Sequence, residues 1–460
     1  MDHTDSNRRL TAKPAMAPGP PGSPIFGNLR DSTGAGRLEY FVQAWHRYGD
    51  IVRFQMGPMP MHLLVHPEHV RHVLVSHAAN YPKGRGYDRL RVFLGTGLFT
   101  SEGELWRRQR RLMQPPFRPQ DVLAFAEDII AAISGLLKRW EMWARPGVYV
   151  DINEEMMRLA MNIIGQTMFG FSVGEEARDA ARAFNDMLQF VGKRSTSLFE
   201  FPLSWPTPSN RRVHEAMRAV NAFMERIITA RRNQPQAQRD LLSILLRARD
   251  EESGEGMDEQ QLRYEVLTIF FAGHETTAQL LTWTWYLLST HPHVRARLEE
   301  EVDRVLAGRP PTVSDLPKLP FTRMVIDEAL RLYPPVWGYV RDARDDDIID
   351  GYHIPGGSMV IVTPYITHRH PDFWHNPEAF EPERFSPERS QGRHRYSYFP
   401  FGAGQRICLG NNFALLEAHL VIAAVAQLYR LNVRPGYRPI PQAVTSLRPH
   451  AGMPMSIERR

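Results

Sequence analysis

The sequence predicts a mainly α-helical fold with a small β region, an α+β arrangement within one large domain. Three observations support this. Residues 102–290 show helical spacing of apolar residues, and short strands and turns follow Pro334. No internal repeat and no abrupt change in residue pattern divides the chain into domains. With 460 residues, of which 43% are hydrophobic, the chain can bury a sizeable core.

Composition narrows the possible functions. The chain has 56 basic and 51 acidic residues, a net charge of +5 that does not indicate a nucleic-acid binder. A single cysteine, Cys408, cannot form an internal disulfide. The N-terminal stretch has no apolar core, so we expect neither a signal peptide nor a membrane anchor. A soluble cytoplasmic monomer is therefore expected.

The elements before the long central helix follow from local patterns. Residues 1–24 are expected to form a flexible proline-rich segment, with the domain spanning 25–460. A helix near 38–46 precedes a hairpin made by "DIVRFQM" and "MHLLVHP". Further helices are predicted from "SEGELWRRQRRLM", "AFAEDIIAAISGLLKRWEMW" and "NEEMMRLAMNIIGQTMFG". Two more are expected to flank the loop "SLFEFPLSWPTPSN".

Residues 258–290 form the longest periodic stretch and predict a central helix. Its apolar part is long enough to cross a membrane, but His274, Glu275 and Gln279 lie in its middle. A buried helix in the core of the domain fits this pattern better. One last helix is predicted over residues 409–428, after a stretch in which proline is frequent.

The cysteine lies in an unusual place, between glycines and just before a predicted helix. Cys408 follows Gly402, Gly404 and Arg406 and precedes Gly410. Glycines permit a tight turn, and helix N–H groups together with a nearby arginine favour a thiolate of low pKa. Such a sulfur can act as a nucleophile, a redox switch or a metal ligand.

The stretch "FGAGQRICLG" resembles the haem-binding signature of the cytochrome P450 superfamily, in its soluble bacterial form. The fixed positions are filled by Phe401, Gly404, Arg406, Cys408 and Gly410. The resemblance implies a P450-like domain with a long central helix over haem b, and Cys408 as the thiolate ligand of its iron. Phe401 and Gly402 would then lie beside the cofactor on the sulfur side.

A second motif, "AGHETT", lies in the middle of the long helix. Ala272 and the following glycine permit close approach of a ligand, and the Thr276 hydroxyl can draw a carbonyl out of the helix ladder. The resemblance implies that Glu275 and Thr276 supply protons during cleavage of dioxygen. A zinc-protease pattern is excluded, because the position four residues after His274 is Ala278.

Two further sets of residues match the family. Glu328 and Arg331 share a helix face, and the resemblance implies a buried network with Arg384 that holds the cysteine loop. The other set would bind the haem propionates. It comprises Trp106, Arg110, Arg406 and Arg341, with Arg344 as the alternative to Arg341.

The resemblance implies a haem-thiolate monooxygenase that uses dioxygen to hydroxylate or epoxidise a hydrophobic molecule such as a fatty acid, terpenoid or polyketide. The motif spellings resemble those of fatty-acid hydroxylases. Apolar segments are the candidate pocket: "LRVFLGTGLF", residues 270–272, and Val336 with Trp337. A peroxygenase, an isomerase and a non-enzymatic haem sensor are the alternatives.

Electrons would come from an acidic ferredoxin or flavodoxin-type donor with its reductase. The family's donors dock on the cysteine side, and a basic surface would steer an acidic protein there. The arginines expected on this surface are Arg107, Arg108, Arg111, Arg118, Arg393 and Arg395.

Overall fold

The computed structural model describes residues 14–31, 36–170, 201–233 and 240–460, together with isolated positions between 180 and 194. The helices in these residues surround a long central one and pack beside several small sheets. In chain order they are α1 (Arg37–Tyr48), α2 (Pro67–Arg71), α3 (Asp88–Leu94), α4 (Gly103–Met113), α5 (Ala126–Trp140), α6 (Ile152–Phe169), α7 (Pro208–Asn233), α8 (Leu241–Arg247), α9 (Glu259–Thr290), α10 (Pro292–Leu306), α11 (Pro320–Leu332), α12 (Pro364–Thr367), α13 (Pro387–Ser390) and α14 (Asn411–Leu428).

The strands form small sheets rather than one continuous sheet. They are β1 (Ala15–Met16), β2 (Ile51–Met56), β3 (Met59–Leu64), β4 (Val150–Asp151), β5 (Tyr339–Asp342), β6 (Asp347–Ile349), β7 (Tyr352–Ile354), β8 (Met359–Val362), β9 (Tyr429–Val433), β10 (Pro441–Ala443), β11 (Leu447–Pro449) and β12 (Pro454–Arg459). The largest has the order β2-β3-β8-β5, in which β3 and β8 are parallel. The predicted mainly helical fold with a small β region is confirmed.

Most of the predicted helices and the hairpin are confirmed. The β2–β3 hairpin is antiparallel, with Ile51 opposite Leu64. Helix α6 ends at Phe169 because Gly170 takes the left-handed conformation, with φ of 63°. Of the two helices expected around the loop at 197–210, α7 is the second, and the first lies outside the described residues.

Part of the predicted N-terminal segment has fixed backbone contacts. Strand β1 runs parallel to β7, and the amide of Arg53 donates to the carbonyl of Pro18 at 2.8 Å. A Cβ on Gly19 would lie 1.7 Å from the Arg53 carbonyl oxygen, so only glycine fits there. The proposed division of the chain at residue 25 stays a prediction.

Helix α9 passes through the interior of the protein. Its N-terminus is capped by Asp258, whose carboxylate accepts from the amide of Gln261 at 2.7 Å. It packs against α6, α11 and α14. Helix α14 is apolar and long enough to cross a membrane, but 67% of it is buried inside the protein, as in the core helix of a globular domain.

A buried ion pair joins α11 to the segment before the cysteine loop. Glu328 and Arg331 form a bidentate pair at 2.6 and 2.7 Å, and neither side chain is exposed. Arg384 lies 3.3 Å from the same carboxylate. Arg331 also donates to backbone carbonyls, namely those of His368, Pro377 and Ala379 at 3.0, 2.6 and 2.9 Å.

His368 carries this network to the cysteine loop. Its Nε2 accepts from the amide of Phe399 at 2.9 Å, and its Nδ1 lies 3.3 Å from the Arg331 carbonyl. Burial, followed by the charge of Arg331, holds the pKa of His368 well below its usual value. The ring therefore stays neutral, which leaves Nε2 free to accept the Phe399 hydrogen bond.

We predict that Glu328→Ala destabilises the protein by about 3–5 kcal/mol, because it leaves two buried arginines without their carboxylate. Urea unfolding and the ratio of haem to protein measure the effect, and poor haem incorporation is expected. Glu104→Ala is the matched control, since Glu104 and Arg107 have the same spacing but are 83% and 56% exposed. A Glu328→Ala protein as stable and haem-loaded as this control would refute the structural role.

Candidate active site

The cysteine loop depends on a glycine that no other residue can replace. Gly404 has φ of 68° and Gly402 has φ of 77°. A Cβ on Gly404 would lie 2.2 Å from the carbonyl oxygen of Leu74, in the helical turn of residues 72–76. The loop thus rests directly on the backbone of that turn, which fixes the position of the cysteine four residues later.

The Cys408 thiol has fewer stabilising contacts than its sequence context predicted. Its amide donates to the carbonyl of Phe401 at 2.8 Å, and the Gly410 amide donates to its sulfur. Burial nevertheless raises the pKa of the Cys408 thiol, outweighing the Gly410 amide and the charge of Arg110. The expected low pKa is therefore wrong for the protein groups alone. A cation at the sulfur would offset the effect of burial and favour the thiolate.

An uncovered face of α9 complements the accessible cysteine. The Cys408 side chain is exposed although it lies deep in the fold. On α9, residues 265–270 and 277–285 are buried, whereas Ala272 is exposed and its neighbours Phe271, Gly273 and Thr276 are partly exposed. A helix inside a core is not expected to leave this much apolar surface open. Such a face suits a flat apolar group that contacts both the helix and the sulfur.

Basic side chains gather beside the loop with an excess of positive charge. Burial, then the charges of Arg406 and Arg341, lowers the pKa of Lys83 well below its usual value, while Glu102 opposes this. Arg406 donates to the Ser101 carbonyl at 3.1 Å and pairs with Glu102. Arg341 is buried, whereas Lys83 and Arg406 are partly exposed. Basic side chains gathered in this way are suited to bind carboxylates, such as the two haem propionates.

The predicted propionate residues occupy different places around this cluster. The Arg406 guanidinium lies 4.2 Å above the ring of Trp106, a cation–π contact that holds both. Arg110 donates to the carbonyl of Ile407 at 2.9 Å, so it lies against the cysteine loop. Arg341 is buried in the cluster, whereas Arg344 is exposed and paired with Asp345 at 2.8 Å. The geometry favours Arg341 over Arg344.

Three residues of this region were missed by sequence reasoning. Lys83 and Tyr87 occur in "YPKGRGY", which matches none of the motifs described above. The Tyr87 hydroxyl lies 3.4 Å from the Arg341 guanidinium. Tyr339 donates to the Pro400 carbonyl at 3.0 Å and packs on the cysteine loop. No local pattern marks them, because each acts through partners far away in sequence.

Glu275 and Thr276 are adjacent but are not bonded to one another. The Thr276 hydroxyl donates to the Ala272 carbonyl at 2.7 Å, within a helix that continues without interruption to Thr290. Glu275 is buried and accepts from Ser446 at 2.7 Å, with Thr445 at 3.3 and 3.4 Å. The Thr276 hydroxyl and the Glu275 carboxylate therefore have different hydrogen-bond partners.

The candidate pocket segments are only partly correct. The rings of Phe99 and Phe271 lie 5.4 Å apart, which joins the first segment to the open face of α9. Trp337 instead donates to the Val444 carbonyl at 3.0 Å and packs in a separate core with Phe54. Its assignment to the pocket is wrong, because its indole is held beneath the β10–β11 hairpin.

The predicted basic docking face is smaller than expected. The guanidinium of Arg393 lies 4.4 Å over the Trp374 ring, and the residue is only partly exposed. Arg111 is bonded to Asp250 at 2.9 Å, which neutralises much of its charge. The exposed members of the set are Arg107, Arg118 and Arg395.

Comparisons with known proteins agree with this geometry. The family described as "Cytochrome P450" matches residues 17–453. Cyclooctat-9-en-7-ol 5-monooxygenase of Streptomyces melanosporofaciens is 36% identical over 397 residues, which is 86% of this chain and 85% of that protein. Pentalenene oxygenase of Streptomyces avermitilis is 34% identical, over 86% of this chain and 87% of that protein. The solved haem domain of cytochrome P450DA has a TM-score of 0.89 at 28% identity, covering 97% of this chain and 98% of its own.

We predict that Gly404→Ala lowers both stability and haem content. A left-handed alanine costs about 1–2 kcal/mol, and the contact with the Leu74 carbonyl adds to that cost. Gly436→Ala is the control, since Gly436 has φ of 75° but open space around its Cα. Urea midpoints separate the two variants. Equal losses in both would show that the loop does not rest on the Leu74 backbone.

We further predict that Arg341→Ala speeds the loss of haem to apomyoglobin about tenfold, as expected when an ionised group loses a hydrogen bond. Arg344→Ala, three residues away and exposed, should leave this rate at the wild-type value. The reverse pattern would assign the propionate contact to Arg344.

Proposed function

The chain belongs to the cytochrome P450 family, and on that premise we propose that it hydroxylates an apolar terpenoid. It is a haem-thiolate monooxygenase that contains haem b and uses dioxygen, electrons from a redox partner and a hydrophobic small molecule. Haem b, when bound, supplies the activation of dioxygen and the transfer of one oxygen atom. The remaining chemistry concerns the residues of this chain.

Cys408 is the proposed ligand of the haem iron. The support is its accessible sulfur in an otherwise covered region, with the Gly410 amide donating to it. A bound cation offsets the burial that otherwise keeps the thiol protonated. Phe401, Gly402 and Ala272 would lie against the cofactor, the first two from the loop and the third from the exposed position on α9.

The basic cluster of Lys83, Arg341 and Arg406 is the proposed propionate site. The charges of Arg406 and Arg341 act on Lys83 and lower its pKa, and Trp106 fixes Arg406 by stacking. Two carboxylates would restore the charge balance of this cluster. Arg110 would act from beside the cysteine, where it donates to the Ile407 carbonyl.

The terpenoid proposal rests on the apolar wall and on the relatives. Between residues 265 and 285 of α9, the accessible apolar side chains are Phe271 and Ala272, and the Phe99 ring adjoins Phe271. Such a wall binds a substrate by shape and burial, with no ionic anchor among these residues. Two relatives are named for cyclooctat-9-en-7-ol and pentalenene, which favours a terpenoid over a fatty acid.

The substrate proposal is tested by following the haem Soret band while cyclic terpene hydrocarbons, terpene alcohols and a straight-chain fatty acid are titrated. Turnover with a surrogate ferredoxin and its reductase then identifies products. We expect the cyclic terpenoids to bind and to be hydroxylated in preference to the fatty acid. Preferential turnover of the fatty acid would contradict the proposal.

We propose that the native donor is an acidic ferredoxin or flavodoxin-type protein and that the chain acts as a cytoplasmic monomer without a membrane anchor. The exposed arginines Arg107, Arg118 and Arg395 support an acidic donor. Because few of the predicted cations remain unpaired at this surface, a modest dependence of the reduction rate on salt is expected.

Thr276 and Glu275 are the proposed proton-transfer residues. The Thr276 hydrogen is already donated to Ala272, so its oxygen lone pairs remain to accept from a water beside the reacting oxygen. Glu275 is the nearby carboxyl group that can exchange protons along such water. The two groups act on oxygen, whereas the apolar wall holds the substrate.

We predict that Thr276→Ala uncouples the enzyme: reductant is consumed while product falls roughly tenfold and peroxide appears, within the usual range for positioned proton transfer. Substrate affinity should stay the same, because the lost group faces oxygen. Thr282→Ala is the control, since Thr282 makes the same 2.7 Å bond to a carbonyl four residues back but is buried. Wild-type coupling in Thr276→Ala would leave Thr276 as a helix residue without a chemical role. A peroxide-driven reaction, which supplies oxygen already reduced, should lose less product than the dioxygen reaction.

A further inference from the structure

We propose that Ser446 is a positioning residue for the reaction: its hydroxyl holds the carboxylate of Glu275 in place and stabilises its charge. This inference rests on the proton-transfer role proposed for Glu275. Ser446 belongs to the turn between β10 and β11, 171 residues away from its partner in sequence. It does not contact the reacting atoms and acts through Glu275.

The contact is short and buried at both ends. Ser446 Oγ lies 2.7 Å from Glu275 Oε1, and the two residues are 1% and 6% exposed. The Thr445 hydroxyl lies farther off, at 3.3 and 3.4 Å from the two carboxylate oxygens. Hydrogen bonds to ionised groups are the strong ones, and 2.7 Å is typical of a well-formed hydroxyl donor.

The turn that carries Ser446 is itself fixed by backbone contacts on each side. The indole of Trp337 donates to the Val444 carbonyl at 3.0 Å. The Leu447 amide donates to the Pro335 carbonyl at 2.9 Å, and its carbonyl accepts from the indole of Trp283 at 2.9 Å. Trp283 lies on α9, as Glu275 does, so the turn and the carboxylate are tied to the same helix. Ser446 can therefore act as a donor of defined position.

A buried carboxylate needs such donors. Without them, burial of a charge is strongly unfavourable, and the side chain would protonate or move. The neighbouring titratable group is His274, whose pKa is lowered by burial, so it contributes little positive charge beside Glu275. On the opposite side, the Thr276 hydroxyl is bonded to Ala272. Ser446 is thus the principal donor to Glu275 among the described residues.

The bond also sets the direction of the carboxyl group. At rest, Glu275 faces the β10–β11 turn rather than Thr276. A proton that Glu275 passes toward the open face of α9 therefore leaves from a carboxyl group whose position is set by Ser446. Loss of the hydroxyl leaves the orientation of the carboxyl group undefined and removes its shortest hydrogen bond, and both effects slow proton transfer without changing the apolar wall.

The test is a double-mutant cycle in the haem-loaded enzyme, with Ser446→Ala, Glu275→Gln and both together. We expect each single change to lower product per reductant roughly tenfold, about the loss of one bond to an ionised group, with no further loss in the double variant. The spectral dissociation constant of a bound terpenoid should stay at the wild-type value. The urea midpoints should show the same non-additivity, a measure that does not depend on turnover.

Thr284→Val is the matched control, because it removes a buried 2.7 Å hydroxyl bond from α9, to the Leu280 carbonyl, without touching Glu275. It should lower stability and leave product per reductant unchanged. Wild-type coupling in Ser446→Ala, with uncoupling in Glu275→Gln, would overturn the inference and leave the role of Glu275 intact. Additive losses would also overturn it. Wild-type coupling in Glu275→Gln would instead overturn the proton-transfer role itself.

Discussion

The site depends on the buried bond between Glu328 and Arg331. Both side chains of the pair are fully buried, so Arg331 is held rigidly and can fix the carbonyl of His368 at 3.0 Å. His368 in turn binds the amide of Phe399, at the start of the cysteine loop. A chain of hydrogen bonds thus runs from the core of α11 to the residues that carry the sulfur.

Two features of the folded chain become favourable only with a cofactor. The thiol of Cys408 has its pKa raised by burial, and basic side chains gather around Lys83. Haem, when bound, would supply a cation for the sulfur and two carboxylates for the basic cluster. The cofactor would therefore stabilise both the cysteine and the basic cluster, so haem binding and folding should be linked.

The motifs can be read directly from the sequence. Most helices could also be predicted, because a helix and its caps depend on neighbours within a few residues, as in α6 and its Gly170 cap. The sequence could not place Trp337, because the contact with Val444 decides the direction of its indole. The effect of burial on the Cys408 thiol, which raises its pKa when the protein groups act alone, could not be predicted because burial is a property of the whole fold. Lys83 and Ser446 carry no local pattern at all, and only the tertiary structure brings them to the site.

We propose that Cys408 coordinates the haem iron as a thiolate. The other residues of the site hold the cysteine loop, bind the haem propionates or transfer protons, so their roles depend on this bond. The most direct measurement is the absorption spectrum of the reduced carbon monoxide complex, recorded for the wild type and for Cys408→His. We expect the wild type to give the thiolate-type spectrum and the variant to lose it together with monooxygenase activity. A thiolate-type spectrum that survives in Cys408→His would contradict the account.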